Sequence, residues 1–314
     1  MAGGSRRAVI AALIGNGLIA ITKFVAAVMT GSSAILAEAV HSVVDTGNQG
    51  LLLFGMRRAK LPPDADFPYG HGKEVYFWAF VVAILLFSVG AGVSLYEGVH
   101  HLQHPEPVRN VYVNYVVLAL AFVFEAVATS VAFREFRRRK GSTGYLRAVR
   151  RSKDPTLFTV LFEDSAALLG LVTAFVGIFL SSVTGNPVWD GLASVVIAII
   201  LAGVAAWLAY ECKGLLIGES ARSEIVEGIR SLASAEEGIE AVQRLMTLHM
   251  GPGRILVNLS VDFDDARSSA ELEAAVGRLE RRMKEAFPDV RWVFVEARGW
   301  SEHQAGSGDP ASGI

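Results

Sequence analysis

Six apolar runs, at approximately residues 8–29, 34–56, 74–98, 111–133, 157–181 and 189–210, decide what solvent this chain folds in. Each approaches the ~20 residues that a helix rising ~1.5 Å per residue needs to cross ~30 Å of hydrocarbon. With 52% of its residues hydrophobic and 19% charged, the chain does not have the composition of a soluble domain. The reading is an α-helical membrane protein with six transmembrane helices in residues 1–212. The first run is too long for a signal peptide and lacks an A-x-A cleavage site, so it is expected to persist as a span. Lys and Arg gather on alternate loops. Arg6 and Arg7 precede the first run, Arg57, Arg58 and Lys60 follow the second, and a basic segment from Arg134 to Lys153 separates the fourth from the fifth. The opposite loops hold only Arg109, and the positive-inside bias then puts both termini in the cytosol. The net charge of −2 singles out no partner, and no nucleic-acid partner is expected. The single cysteine, Cys212, excludes an intrachain disulfide or a Cys-only zinc site.

Residues 213–300 change to the composition of a small cytoplasmic α+β domain. ARSEIVEGIRSLA reads as a helix and IEAVQRLMTLHM as a strand. RILVNLSVDF places Ile255, Val257, Leu259, Val261 and Phe263 on one face at the two-residue strand period. Gly251, Pro252 and Gly253 turn between those strands, and Ser268 with Glu271 forms a capping-box pattern opening a second helix. VRWVFVEA closes a helix, strand, strand, helix, strand order of ferredoxin-like type. A module of this size buries little core alone, so an oligomer is expected. The tail 301–314 is expected to be disordered.

The second run, AEAVHSVVDTGNQ at its centre, holds Glu38, His41 and Asp45 where a bilayer-spanning helix usually holds leucines. His41 and Asp45 are four apart, which stacks imidazole and carboxylate on one helix face, and Glu38, Asn48 and Gln49 extend the stripe. A charged side chain at the centre of a span costs roughly 2.5 to 3.5 kcal/mol on insertion scales, so the group needs a compensating partner. LFEDSAALLG in the fifth run supplies Glu163 and Asp164 at a depth of roughly 12 to 14 Å from Thr156, comparable to that of Asp45. Consecutive residues point about 100° apart, so only one of the two carboxylates can face His41 and Asp45 squarely. Hard oxygens with one imidazole nitrogen suit a divalent transition metal such as Zn²⁺, with Fe²⁺, Co²⁺ and Mn²⁺ also admissible. A buried ionic network that orients the bundle is the alternative reading.

HSVVD in the second run, YGHGKE at the start of the third, an aspartate in the fifth, six crossings and a cytoplasmic α+β tail together resemble the cation diffusion facilitator family over nearly the whole chain. AEAVHSVVDTGNQGLL, PYGHG and DPTLFTVLFEDSAALLG are similar to the branch typified by the ninth human zinc transporter. The resemblance implies a homodimer in the lipid bilayer that exports a divalent cation from the cytosol in exchange for protons. It also implies a tetrahedral intramembrane site of His41, Asp45 and Asp164. Family members usually carry His or Asp four residues before the span-five aspartate, and here that position is Val160. Glu163, Asn48, Glu38 or water then remain open as the fourth ligand. Asp64 and His71 match the family's second, interfacial metal site, whose intervening histidine is replaced by Phe67. Lys73 resembles a lysine that makes an interhelical charge contact, with Glu219 as its candidate partner. The tail domain offers only His249, with Asn258 and Glu296 near where histidines would be expected, so no binuclear zinc centre is expected there.

His100, His101 and His104 cluster after the third run and could collect or release metal, or do neither. Glu125 in the fourth run either joins a proton path or ties to Asn16 or Lys23 of the first. The chain contains no HExxH, GxSxG or phosphate-cradling glycine loop, so a metal-dependent intramembrane hydrolase is the weaker rival, and no organic cofactor is expected. A membrane scaffold with a degenerate metal site is the other. No residue names the membrane, and the plasma or inner membrane is the default.

Overall fold

A computed structural model describes residues 2–108, 110–140 and 155–298. Arg109, most of the basic segment after Lys140 and the tail 301–314 lie outside the described residues, and with them His303 and the expectation of tail disorder. Two compact units emerge, one from the chain up to Lys60 with Glu74–Lys213, the other from Leu61–Lys73 with the chain from Gly214 onward.

The first unit is wholly helical. It comprises α1 (Ala2–Thr30), α2 (Ser33–Arg58), α3 (Glu74–Gln103), α4 (Val111–Lys140), α5 (Pro155–Thr184) and α6 (Val188–Ile217). Each helix outruns its apolar run because the backbone hydrogen-bond ladder continues past the last leucine into polar sequence. Within the described residues, α3, α4, α5 and α6 are long and apolar enough to cross a membrane, whereas the apolar part of α1, Asn16–Thr30, is shorter. The 26 residues of α2 would also reach across, but their polar stripe dilutes the hydropathy. Gly31, at φ 69°, reverses the chain between α1 and α2, and Ser32 caps α2 by accepting from the Ile35 N–H at 3.2 Å. Arg57 and Arg58 close its last turn, where the helix dipole favours cations. Arg58 then pairs with Glu74 at 3.0 Å, and Trp78 donates to the same carboxylate at 2.9 Å, which pins the end of α2 to the start of α3.

Helix α3 carries a π-helical turn at Leu86–Ala91, which the apolar pattern of that run does not signal. Beyond it, Gly98 lies against α6. A Cβ there would stand 2.8 Å from the Val195 side chain and 2.9 Å from its nitrogen. Close backbone approach through small residues is how helices pack where lipid supplies no hydrophobic drive.

In the second unit α7 (Ser223–Ser234) and α8 (Ser269–Ala286) join a three-stranded sheet of β1 (Ile239–Gly251), β2 (Arg254–Phe263) and β3 (Val290–Ala297) in the order β1, β2, β3. β1 and β2 are antiparallel, and β2 and β3 are parallel through the α8 crossover. The alternation in β2 does what its period requires. Ile255, Val257, Leu259 and Val261 are fully buried against Ile229 of α7 and Leu279 and Met283 of α8. Glu271 accepts from the Ser268 N–H and hydroxyl, both at 2.8 Å, fixing the entry to α8.

Leu61–Lys73 belongs to this unit although it links two helices of the other. Backbone proximity explains why: Gly72 runs so close to the β1–β2 turn that a Cβ would collide with the Met250 carbonyl, and Tyr69 meets Trp292 edge to face at 5.6 Å.

Candidate metal site

Helix periodicity places Glu38, His41, Asp45 and Asn48 on one side of α2, and all four are buried. His41 Nδ1 stands 3.4 Å from Asp45 Oδ1, too loosely aligned to satisfy either atom. Both His41 nitrogens, Asp45 Oδ1 and Asn48 Oδ1 have no hydrogen-bond partner among the described residues. Burying such groups unpaired is costly, and costlier in hydrocarbon than in a soluble core.

Helix α5 meets this stripe. Asn48 Nδ2 donates to Glu163 Oε1 at 2.8 Å, so two of the residues open as the fourth ligand are bonded to one another. Glu163 is buried, Asp164 is half-buried, and Thr159, one turn earlier on the Glu163 face, is fully buried with an unpartnered hydroxyl. The sequence reading passed over Thr159, since a threonine in an apolar run carries no charge to draw notice. Among the described residues, no three His, Cys, Asp or Glu side chains stand together closely enough to hold a metal ion in this conformation. The structure thus joins α2 and α5 through Asn48 and Glu163 without drawing His41, Asp45 and Asp164 into one coordination sphere.

Glu38 belongs to a different arrangement. Lys23 of α1, fully buried, donates to Glu38 Oε2 at 3.0 Å and to Ser42 Oγ at 2.8 Å. Glu125 of α4 is buried as well. Asp190, at the start of α6, is a further buried carboxylate, one that sequence reasoning missed because an acid at the edge of an apolar run looks like an ordinary flank. It accepts from Ser32 Oγ at 2.6 Å, Ser33 N at 2.7 Å and Ser33 Oγ at 3.0 Å, holding the N-terminus of α2. His101 of α3 lies 3.9 Å from it, which separates that histidine from the exposed, tilted pair of His100 and His104.

In the second unit Asp64 and His71 do meet, at 2.8 Å between Oδ2 and Nε2, and Phe67 packs on the imidazole with ring centroids 4.5 Å apart. The other Asp64 oxygen accepts from the Phe67 N–H at 2.7 Å and the Asp66 N–H at 3.1 Å. The bond from His71, followed by that from Phe67, holds the Asp64 carboxyl below its usual range. These bonds brace the loop. Lys73 reaches the Leu216 carbonyl at 3.5 Å, near the last turn of α6 where orphan carbonyls welcome a cation, and the Glu219 carbonyl accepts the His249 N–H at 3.1 Å. His249 is buried in β1, Asn258 is half-buried in β2, and Glu296 is exposed on β3.

Residues 9–217 match the model of the cation efflux transmembrane domain, which is well over half of the chain. The chain belongs to the cation efflux family. The match agrees with the resemblance of the α2 and α5 motifs to the cation diffusion facilitators, and this cation efflux protein carries several helices long and apolar enough to cross a membrane. The human proton-coupled zinc antiporter SLC30A9, mitochondrial, is 32% identical over 332 residues, covering 93% of this chain and 58% of the human protein. Metal tolerance protein C4 of Arabidopsis thaliana is 30% identical, covering 83% of this chain and 57% of its own length. The manganese efflux system protein MneP of Bacillus subtilis is 21% identical and covers 95% of this chain and 97% of its own. This cation efflux protein therefore spans under three fifths of the first two relatives and nearly all of the third.

Proposed function

We propose that the protein exports a divalent transition-metal cation, Zn²⁺ foremost, from the cytosol in exchange for protons. His41, Asp45 and Asp164 are its ligands, and Glu163 completes the set in place of the residue that Val160 lacks. The observation that carries this reading is the meeting of α2 and α5 through Asn48 and Glu163, beside His41 nitrogens and an Asp45 oxygen that are buried and unpartnered. The names of the zinc antiporter and manganese efflux relatives support a divalent cation as cargo. Six crossings with both termini cytosolic follow from the charge bias, and the tail domain serves as a dimerisation module in a plasma or inner membrane.

The chemistry of exchange needs no covalent step. Coordination requires neutral imidazole and ionised carboxylates, so an arriving metal expels protons and an arriving proton expels metal. Closing the ligand set requires a shift of α2 against α5, which couples loading to a change of conformation. The test is divalent-cation flux into proteoliposomes under an imposed pH gradient, with Zn²⁺, Fe²⁺, Co²⁺ and Mn²⁺ compared. Flux should follow the gradient and disappear in Asp45→Ala while that variant stays inserted and folded, and an Asp45→Ala protein that still transports would sink the proposal. The dispersed ligand set and Val160 favour a second reading, a non-transporting scaffold. Absence of flux for every ion from native, folded protein would select it.

A further inference from the structure

Lys23 is the one Lys or Arg buried among the described residues, whereas Glu38, Asp45, Glu125, Glu163 and Asp190 are all buried. Its position is built rather than incidental. Glu38 and Ser42, one turn apart on α2, clasp the ammonium at 3.0 and 2.8 Å from the face that also carries His41 and Asp45. On its other side Glu38 meets α5, where a Cβ at Gly170 would collide with Oε1. That oxygen is buried and has no partner among the described residues. Glu38 is thus a carboxylate one helical turn from His41, held by a cation and with one oxygen to spare.

We infer, resting on the transport reading above, that Lys23 is a positioning residue that withholds Glu38 from the transported cation and thereby sets how tightly the metal is held. Without it, the carboxylate one turn before His41 would add its charge and its free oxygen to those of Asp45 and Glu163, and an exporter that binds its cargo too firmly cannot release it. Without Glu38, the ammonium would lose the carboxylate it donates to, and its charge would bear more fully on the site and repel a divalent cation. The two single changes therefore act in opposite directions, which a merely structural ion pair would not do, because breaking a buried pair from either side harms the fold alike.

The experiment measures Zn²⁺ affinity of the purified full-length protein and Zn²⁺ flux in proteoliposomes for Lys23→Gln, Glu38→Gln and the double variant. Lys23→Gln should bind Zn²⁺ roughly tenfold tighter, a change on the scale by which outer-shell groups tune metal sites but of opposite sign, because the group removed is a cation that competes for Glu38, with KM and maximal flux both lowered. Glu38→Gln should bind it weaker by a similar factor, and the double variant should return towards the native affinity. Lys23→Arg, which keeps the charge, should behave as the native protein does. Singles that shift affinity in the same direction, or leave it unchanged, would overturn the inference. Should Lys23→Gln fail to fold, Glu38→Gln and the double variant decide it, since weakened and then recovered affinity is required. A native chain that neither binds nor carries Zn²⁺, Fe²⁺, Co²⁺ or Mn²⁺ would overturn the transport reading, and this inference with it, whereas native flux with misdirected variants would overturn this inference alone.

Discussion

Two of the His–Asp pairs among the described residues are opposites. Asp64 and His71 in the second unit lie 2.8 Å apart, with the carboxylate half exposed and both its oxygens engaged by the imidazole and by the Asp66 and Phe67 N–H groups. His41 and Asp45 in the helical unit lie 3.4 Å apart, buried, with the imidazole nitrogens and an Asp oxygen unpartnered. The first pair completes a loop. The second, placed where an unpaired polar group is most expensive, is left incomplete, and that difference is what the transport proposal builds on. Residue identity alone does not tell them apart; the surrounding donors do.

Exchanging roles is the sharpest way to break this comparison. His41→Ala should remove proton-driven metal flux altogether, whereas His71→Ala should leave flux standing and lower only the thermal midpoint of the tail domain. Loss of flux in both would mean that the loop pair is also a working site. Gly72→Ala should follow in magnitude. Its methyl must displace the Met250 carbonyl, at a cost of about 1–3 kcal/mol for overpacking, read as a lowered unfolding midpoint of the second unit with Zn²⁺ affinity unchanged. The smallest effect concerns pH. Because the folded Asp64 carboxyl is held below its usual range, the ionised carboxylate contributes stability that is fully present above the ordinary carboxylate pKa of about 4. That contribution is lost as pH falls through the lower folded value. Amide exchange at Asp66 and Phe67, whose N–H groups Asp64 holds, should accelerate in that acid window beyond the intrinsic pH trend, and Asp64→Asn should abolish the excess.

Much of this architecture was legible before any coordinates. Long apolar runs can satisfy their backbone only as helices in a membrane, and the runs beginning at residues 74, 111, 157 and 189 became helices of that character. In the tail, the period of Ile255, Val257, Leu259 and Val261 and the Ser268–Glu271 cap announced β2 and the start of α8. Periodicity tells which face of an element is shared, and it is silent about who shares it. Lys23 entered the sequence reading only as a possible tie for Glu125, since nothing in sequence spacing brings it to Glu38; the packing of α1 on α2 does. The docking of Gly72 against Met250 is similarly a long-range backbone fit. The π-helical turn at Leu86–Ala91 has no local breaker to advertise it, since Gly90 alone is tolerated within a helix.

The carboxylate of Asp190 sets a mechanical condition on any transport stroke. It gathers the Ser32 hydroxyl and both donors of Ser33, so it fastens the first turn of α2 to the first turn of α6. Parting the two helices at that end would strand a buried anion and the opening amides of α2 in an apolar surrounding, a loss of several kcal/mol. Further along α2 no such clamp to α6 is seen among the described residues. On the transport reading proposed above, the Asp190 end is then a fulcrum and the Arg57 end the lever arm, and a small tilt about the serines would translate into a larger sweep of Asp45 towards α5 or away from it.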